Sequence, residues 1–81
     1  MLLIPMASGQ RPLDTLNKAI GSTVLVRLKD GRELRGKLDS YDTHVNIVLE
    51  EAEVLSGDET SKRYGKMIIR GDNIVFISPA R

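Results

Sequence analysis

Apolar residues recur at two spacings along the chain, and the change of spacing separates a helix from a series of strands. Between residues 11 and 21, Leu13, Leu16 and Ile20 lie three and four positions apart, with a proline near the start and a glycine at the end. This spacing predicts one short amphipathic helix. A helix of this length is marginal in isolation, so we expect it to dock on the strands that follow.

From residue 22 onward, apolar and polar positions alternate, which is typical of β-strands. An Asp30-Gly31 pair gives a strong hairpin signal after the first strand, and a polar turn is predicted at Ser56–Thr60. The predicted strands run from Ser22 to Lys29, Arg32 to Asp39, Thr43 to Glu53, Lys66 to Arg70 and Asn73 to Ile77, with Pro79 ending the last. The positions predicted to face inward are Val24, Val26, Leu28, Leu34, Gly36, Leu38, Val45, Ile47 and Leu49.

Gly36 lies inside the second predicted strand, where a glycine indicates a sharp bend or a close backbone approach. One helix and five tightly connected strands, the second of them bent, predict a mainly β fold. Its simplest form is a strongly bent five-stranded antiparallel sheet rolled into a small open barrel. The 81 residues allow one small domain, which we place at residues 11–79, after a flexible tail at residues 1–10.

The fourth and fifth predicted strands are apolar on both faces, at Met67–Ile69 and Ile74–Ile77. A solvated sheet edge should not have this pattern. We therefore expect these edges to pair with edges of other copies, and pairing between unlike edges gives closed rings or filaments. The small size also favours self-association, because the chain has no cysteine for a disulfide. With one histidine and no cysteine, we expect no metal site and no cofactor.

Charge and composition restrict the classes of partner. Twelve Lys and Arg against eleven Asp and Glu give a net charge of +1, so any nucleic-acid site must be local. The apolar start of the chain lacks a basic leader and is interrupted by Pro5, so we expect neither a signal peptide nor a membrane span. The absence of cysteine fits a reducing compartment, and we expect a cytoplasmic protein.

Two short segments are polar where their surroundings are apolar, residues 40–46 and residues 70–73. Together they offer an imidazole, a guanidinium, two amides and two carboxylates, a set suited to holding a flat, hydrogen-bonding ring such as a nucleobase. A catalytic pair of His44 and Asp42 is disfavoured, because no serine or cysteine nucleophile stands in a recognisable motif. We expect a binding protein and not an enzyme.

Some residues in and beside these segments have two open interpretations. Arg70 stacks on a base, or it forms an ion pair with Asp42 or Asp72, and both roles are compatible. Asp42 caps its own turn through the backbone, which would also position its neighbours. Tyr41 packs against the barrel or the ring surface in the favoured interpretation, and serves as an accessory RNA platform in the other.

In the sequence around these residues, the chain resembles the Sm and Sm-like (Lsm) family, specifically its archaeal members. The first motif runs from Val24 to Glu53, and the second is Ile69–Val75, so that the resemblance covers about residues 11 to 79. It implies the Sm fold, a helix-capped five-stranded barrel. It also implies assembly into a homo-oligomeric ring, with a heptamer favoured and a hexamer as the alternative, in which the fourth strand of one subunit pairs with the fifth of its neighbour.

The resemblance further implies that the two polar segments line a central pore, where each subunit holds one nucleotide of single-stranded U-rich RNA. The ring would act as a scaffold or chaperone in RNA metabolism, with RNA-processing proteins as an open class of partner. The implied site consists of His44 and Arg70 sandwiching the base, Asn46 reading the uracil edge, Asp42 orienting Asn46, and Gly71 and Asp72 shaping the second loop and presenting a backbone donor.

Asn presents an amide donor and acceptor side by side, which complements the carbonyl and imide N–H of uracil but not the edge of cytosine. Two other interpretations stay open. One is a ring that serves mainly as a protein-interaction platform with incidental RNA contact, and the other is a monomeric β-barrel.

Overall fold

A single helix leads into one antiparallel sheet of five strands, which confirms the predicted fold class. The computed structural model describes residues 12–56 and 59–80. In chain order the elements are α1 (Pro12–Ala19), β1 (Thr23–Leu28), β2 (Glu33–Tyr41), β3 (Ile47–Ser56), β4 (Glu59–Ile69), one turn of 3-10 helix (Gly71–Asn73) and β5 (Ile74–Pro79). The strand order in the sheet is β4-β3-β2-β1-β5. The tail predicted at residues 1–10 lies outside the described residues.

The core forms on the face that the alternation predicts. The buried apolar side chains of the described residues are Val24, Val26, Leu28, Leu34, Leu38, Ile47, Leu49, Ala52 and Ile69. Val45 was also predicted to face inward from a strand, but it lies in the loop before β3 and is half-buried against this core. Removal of these side chains from water stabilises the sheet by about 25 cal/mol per Å² of apolar surface.

Gly36 marks a bend, as predicted. A Cβ atom at this position would lie 3.1 Å from the Glu50 carbonyl oxygen and 3.2 Å from the Ala52 Cα atom. The register between β2 and β3 shifts at the same place. The backbones therefore approach so closely that only glycine fits without displacing β3.

A second bend was not predicted from the sequence. Glu51 in β3 has φ 54° and Gly65 in β4 has φ 79°. The β3–β4 register shifts between Leu49 and Ala52, which is paired with Gly65. Bulges of this kind increase local twist and bend the strand. They curve the outer pair of strands as Gly36 curves the inner pair.

The predicted boundaries of the third and fourth strands were wrong. β3 begins at Ile47 and not at Thr43, because residues 42–46 form a turn. β4 begins at Glu59 and not at Lys66, since its first half is polar and exposed and is held by pairing with β3. Of the predicted polar turn, Ser56 ends β3 and Glu59 and Thr60 belong to β4, while residues 57 and 58 lie outside the described residues.

The fifth strand and the helix also differ slightly from prediction. β5 includes Pro79, which pairs with Val24; an edge strand tolerates this proline because it lacks only the N–H group. Helix α1 packs Leu16 and Ala19 against the core, as expected. Ile20, the third residue of the predicted stripe, follows the helix and remains 44% exposed.

Both edge strands of the sheet expose apolar side chains in the single chain. β4 and β5 occupy the two ends of the strand order and do not pair with each other. Ile68 on β4 is 74% exposed, and Val75 and Phe76 on β5 are 57% and 41% exposed. The barrel is therefore open, and its edge strands keep the property that predicted self-association.

Candidate nucleic-acid interface

The loop between β2 and β3 is organised by the carboxylate of Asp42. Its Oδ1 atom accepts hydrogen bonds from the backbone N–H groups of His44 at 2.8 Å and Asn46 at 3.1 Å. The backbone also closes on itself, because the Val45 N–H donates to the Asp42 carbonyl at 3.0 Å. Asp42 therefore caps its own turn, one of the roles expected for it.

The Asn46 side chain joins this loop to the β4–β5 loop. Its Nδ2 atom donates to Asp42 Oδ2 at 3.0 Å, and its Oδ1 atom accepts from the Gly71 backbone N–H at 2.8 Å. These partners fix which end of the amide is donor and which is acceptor. One Nδ2 hydrogen and one Oδ1 lone pair remain for a ligand.

Gly71 is the point of closest approach between the two loops. A Cβ atom here would lie 2.1 Å from the His44 carbonyl oxygen and 2.9 Å from the Val45 carbonyl carbon. Only glycine permits this contact. Its N–H group was expected to be offered to a ligand together with Asp72, but it donates to Asn46 instead.

Arg70 is paired and exposed. Its NH2 atom donates to Asp72 Oδ2 at 3.1 Å, and the two side chains are 75% and 62% exposed. Of the two ion pairs open to Arg70, the structure shows the one with Asp72. Exposed pairs contribute at most about 1 kcal/mol, so the guanidinium exchanges this partner for a ligand at little cost.

The predicted site residues line two neighbouring recesses. Asp42, Asn46 and Arg70 line one recess of about 450 Å³, together with Ile68 and Val48. His44 and Gly71 line the other, about 480 Å³, between α1 and β5. His44 and Arg70 therefore lie in neighbouring recesses, with the loop contact between them.

Ile68 and Val48 were not predicted as site residues. They pair across β3 and β4, on the face opposite the buried Ile47 and Ile69. The alternation places both side chains on this outer face. The alternation does not indicate, however, that this outer face continues into the Asn46 recess.

Electrostatics favour the ionised form of Asp42. The hydrogen bond from the Asn46 side chain is the main cause that lowers the pKa of Asp42 below its ordinary value of 3.8. Desolvation opposes it, and the hydrogen bonds from the His44 and Asn46 amides add to the lowering. The carboxylate is thus an acceptor throughout the neutral range.

Tyr41 lines the Asn46 recess and also packs against the barrel. Its hydroxyl donates to the Leu13 carbonyl at 3.1 Å, and its ring packs against the core. This contact ties the end of β2 to helix α1. The prediction that Tyr41 packs against the barrel is confirmed.

Across residues 12–56 and 59–80, no cluster of three His, Cys, Asp or Glu side chains is arranged to hold a metal ion. Within the same part of the chain, no helix has the length and apolar character needed to cross a bilayer.

Comparisons with known proteins show that the chain is similar to one family. The family model described as the LSM domain matches residues 14–79. An snRNP Sm-like protein of Archaeoglobus fulgidus is 54% identical over 70 residues, covering 86% of this chain and 91% of the relative.

Two solved structures are similar as well. The Sm protein of Pyrococcus abyssi, solved in complex with a uridine heptamer, has a TM-score of 0.83 and 51% identity, covering 86% of this chain and 99% of that one. The Sm protein heptamer of P. aerophilum has a TM-score of 0.81 and 44% identity, covering 86% and 93%. The resemblance seen in the two sequence motifs therefore extends over the fold, and the chain belongs to the LSM domain family of Sm-like proteins.

Proposed function

We propose that this protein assembles into a homo-oligomeric ring, a heptamer, that binds single-stranded U-rich RNA with one nucleotide per subunit. The observation that carries the proposal is the Asn46 amide, held between Asp42 and Gly71 with one donor and one acceptor free. The solved Sm protein of P. abyssi, 51% identical, holds a uridine heptamer, which supports the same ligand here.

The ring follows from the two uncovered edges. β4 and β5 lie at opposite ends of the sheet and expose Ile68, Val75 and Phe76. Pairing of β4 of one copy with β5 of the next is head-to-tail, and such contacts close when the rotation permits. Heptameric Sm relatives at 44% and 46% identity support seven copies.

The site recognises the edge of the base through hydrogen bonds and its faces through stacking. The free Nδ2 hydrogen and Oδ1 lone pair of Asn46 match the carbonyl and imide N–H of uracil, whereas cytosine presents the opposite donor and acceptor pattern. Arg70 lines the same recess as Asn46, where its planar guanidinium stacks on one face of the base. His44 lines the neighbouring recess and is exposed, so its imidazole turns toward the Asn46 recess to stack on the other face when the base binds. Arginine combines a stacking plane with a permanent charge, which lysine provides poorly. The ion pair with Asp72 restrains the Arg70 side chain before RNA binds.

Calorimetry with uridine monophosphate, oligo(U) and oligo(C) tests the proposal. Stacking contributes about 1–3 kcal/mol per base, so the monophosphate binds weakly and oligo(U) gains steeply with length through effective concentration. Asn46→Ala and Arg70→Ala should abolish oligo(U) binding while the ring persists by native mass spectrometry. Asn17→Ala, an exposed asparagine on α1, serves as the matched control.

A length-independent affinity would contradict the repeated-site mechanism. Unchanged oligo(U) binding by Asn46→Ala and Arg70→Ala rings would favour the alternative function, a protein-interaction platform. A stable species of 9.0 kDa in light scattering would favour the monomeric barrel.

The proposal includes a non-catalytic role as a scaffold or chaperone in RNA metabolism, located in the cytoplasm. The site supports a non-catalytic role because its groups are suited to binding and orienting a base. The Asp42 carboxylate, in addition, already accepts hydrogen bonds from the loop backbone and from Asn46. Oligo(U) incubated with the protein should keep its length on a denaturing gel. Shortened products would contradict this part of the proposal.

A further inference from the structure

The cavity between α1 and β5 is an apolar recess beside the nucleotide site, with a volume of about 480 Å³. Leu13 and Leu16 lie on its α1 side, and Val75, Phe76 and Ile77 lie on its β5 side. Val75 and Phe76 remain 57% and 41% exposed. Among the described residues that line the cavity, none is Lys, Arg, Asp or Glu. The cavity is therefore suited to an uncharged apolar group and not to the phosphates of RNA.

The start of the chain has the same apolar character as this cavity. The N-terminal segment, residues 1–6, has the sequence Met-Leu-Leu-Ile-Pro-Met, and the first charged residue of the chain is Arg11. Contact of such a run with water is unfavourable, and burial against another apolar surface removes that cost. Pro5 disfavours a helix and favours an extended backbone at Ile4, which matches a groove between a helix and a strand.

The spacer between the N-terminal segment and the cavity is short. Residues 7–11 separate the segment from Pro12, which itself lines the cavity. The six Cα–Cα steps from Met6 to Pro12 span at most about 20 Å. The spacer contains a turn-forming pair, Ser8-Gly9, at which the chain can reverse over the start of the helix. A tether of this length gives the segment a high effective concentration at the cavity, which favours it over any group free in solution.

The N-terminal segment also lies outside the domain that the relatives share. The LSM domain model begins at residue 14, and the match with the P. abyssi Sm protein covers 99% of that chain but 86% of this one. The segment is therefore an addition of this chain. The ring and the nucleotide site proposed above do not account for its apolar composition.

We propose that the N-terminal segment folds back and docks into the α1–β5 cavity of its own chain, where Leu3 and Ile4 cover Val75 and Phe76. The contact is made by side chains and leaves the outer backbone edge of β5 for strand pairing in the ring. His44 lines the same cavity, so the docked segment fills the space beside one of the proposed stacking residues. The docking is independent of RNA binding and can be tested without a ligand.

Nuclear Overhauser effects (NOEs) between methyl groups of the full-length protein test the docking directly. Cross peaks are expected from the methyl groups of Leu3 and Ile4 to those of Val75 and Ile77, because docking brings these side chains into contact. NOEs from the segment to residues 1–11 alone would describe the flexible tail expected from the sequence, and would overturn the proposal.

Isotope mixing distinguishes the segment of the same chain from that of a second copy. In an assembly of equal amounts of ¹³C-methyl-labelled and unlabelled protein, a filtered NOE experiment detects only contacts between copies. The cross peaks from Leu3 and Ile4 to Val75 should be missing from the filtered spectrum. Their presence there would show that a second copy supplies the segment, which would overturn the same-chain assignment.

The fluorescence of ANS, a dye that binds exposed apolar surface, gives a second readout. The double variant Leu3→Asp, Ile4→Asp should release the segment and raise the fluorescence per protomer severalfold. The matched control is Ser8→Asp, Gln10→Asp, which adds the same charges within the spacer and should keep the wild-type signal. The samples are compared in the same assembly state, checked by native mass spectrometry. Equal fluorescence of the Leu3→Asp, Ile4→Asp variant and the wild type would overturn the proposal.

Discussion

Two loops of this protein contain the same kind of aspartate turn but differ in the further hydrogen bonds that the aspartate side chain makes. In the β1–β2 loop, Asp30 Oδ1 accepts the Arg32 backbone N–H at 3.0 Å. In the β2–β3 loop, Asp42 Oδ1 accepts the His44 backbone N–H at 2.8 Å. Both are aspartate turns in which a side chain replaces a backbone acceptor.

The second carboxylate oxygen makes the difference. Asp30 Oδ2 accepts from Arg32 Nε at 2.8 Å, so this carboxylate bonds only within its own loop. The backbone of the first loop does reach the β4–β5 turn, through the Lys29 N–H and the Asn73 carbonyl at 2.9 Å. Asp42 Oδ2 accepts from Asn46 Nδ2, and Asn46 Oδ1 reaches the Gly71 N–H, 25 residues further along the chain. Only the second aspartate is linked through a side chain to a distant loop, and a connection of this kind can hold a site.

Substitution of the distant glycine should have the largest effect. Gly71→Ala places a Cβ atom 2.1 Å from the His44 carbonyl oxygen, so the loops must separate and the bond to Asn46 is lost. We expect a loss of about 3 kcal/mol in the free energy of unfolding, measured in urea at fixed protein concentration, and loss of oligo(U) binding.

Gly31→Ala is the matched control in the other loop. Its Cβ atom meets nothing within 4 Å, but φ is 94°. The conformational strain should cost about 1–2 kcal/mol and leave oligo(U) binding intact. Equal effects of the two substitutions on RNA binding would remove the distinction between the loops.

Asn46→Ala removes the connection without adding a clash. Two hydrogen bonds are lost, and the Gly71 N–H is left without its acceptor, so we expect a loss of about 2 kcal/mol in the free energy of unfolding. Urea denaturation against Asn17→Ala measures it. An unchanged midpoint would mean that the long-range bond contributes nothing to stability.

The pH dependence of the connection follows from the lowered pKa of Asp42. A carboxyl whose pKa is lowered in the folded state contributes stability above its ordinary pKa, and that stability is lost as the pH falls through the lowered value. The midpoint of the pH-dependent change in the Asn46 side-chain amide resonances in NMR should therefore lie below pH 3.8.

The comparison predicts which carboxyl controls this transition. The pKa of Asp30 is also lowered, mainly by the Arg32 backbone amide. Asp30→Asn should nevertheless leave the Asn46 transition in place, whereas Asp42→Asn should abolish it. A transition that survives Asp42→Asn would assign it to another group.

The smallest effect is expected from the first loop's ion pair. Arg32→Ala removes a pair whose side chains are 58% and 54% exposed, so the free energy of unfolding should fall by about 0.5 kcal/mol or less. Oligo(U) affinity should not change at low salt. A large loss of binding would show that the β1–β2 loop also contacts RNA.

Local signals in the sequence predicted much of this fold. Alternation identified the inward face of β1 and β2, the Asp30-Gly31 pair identified the hairpin, and Gly36 identified the first bend. The alternation and the hairpin depend on neighbours within a few residues, and a glycine inside a strand is by itself a signal for a bend. The start of β4 could not be predicted in this way, because its polar half is a strand only through pairing with β3.

By itself, the sequence determined the fold class, the inward-facing residues of β1 and β2 and the two polar segments, since periodicity and turn chemistry are properties of short stretches. The tertiary structure alone decided that Asn46 occupies the Gly71 N–H, that Arg70 pairs with Asp72, and that the His44 loop shares a cavity with the β5 edge. The physical reason is that hydrogen bonds and shared cavities between distant segments depend on register and bends, which are set only when the whole sheet folds.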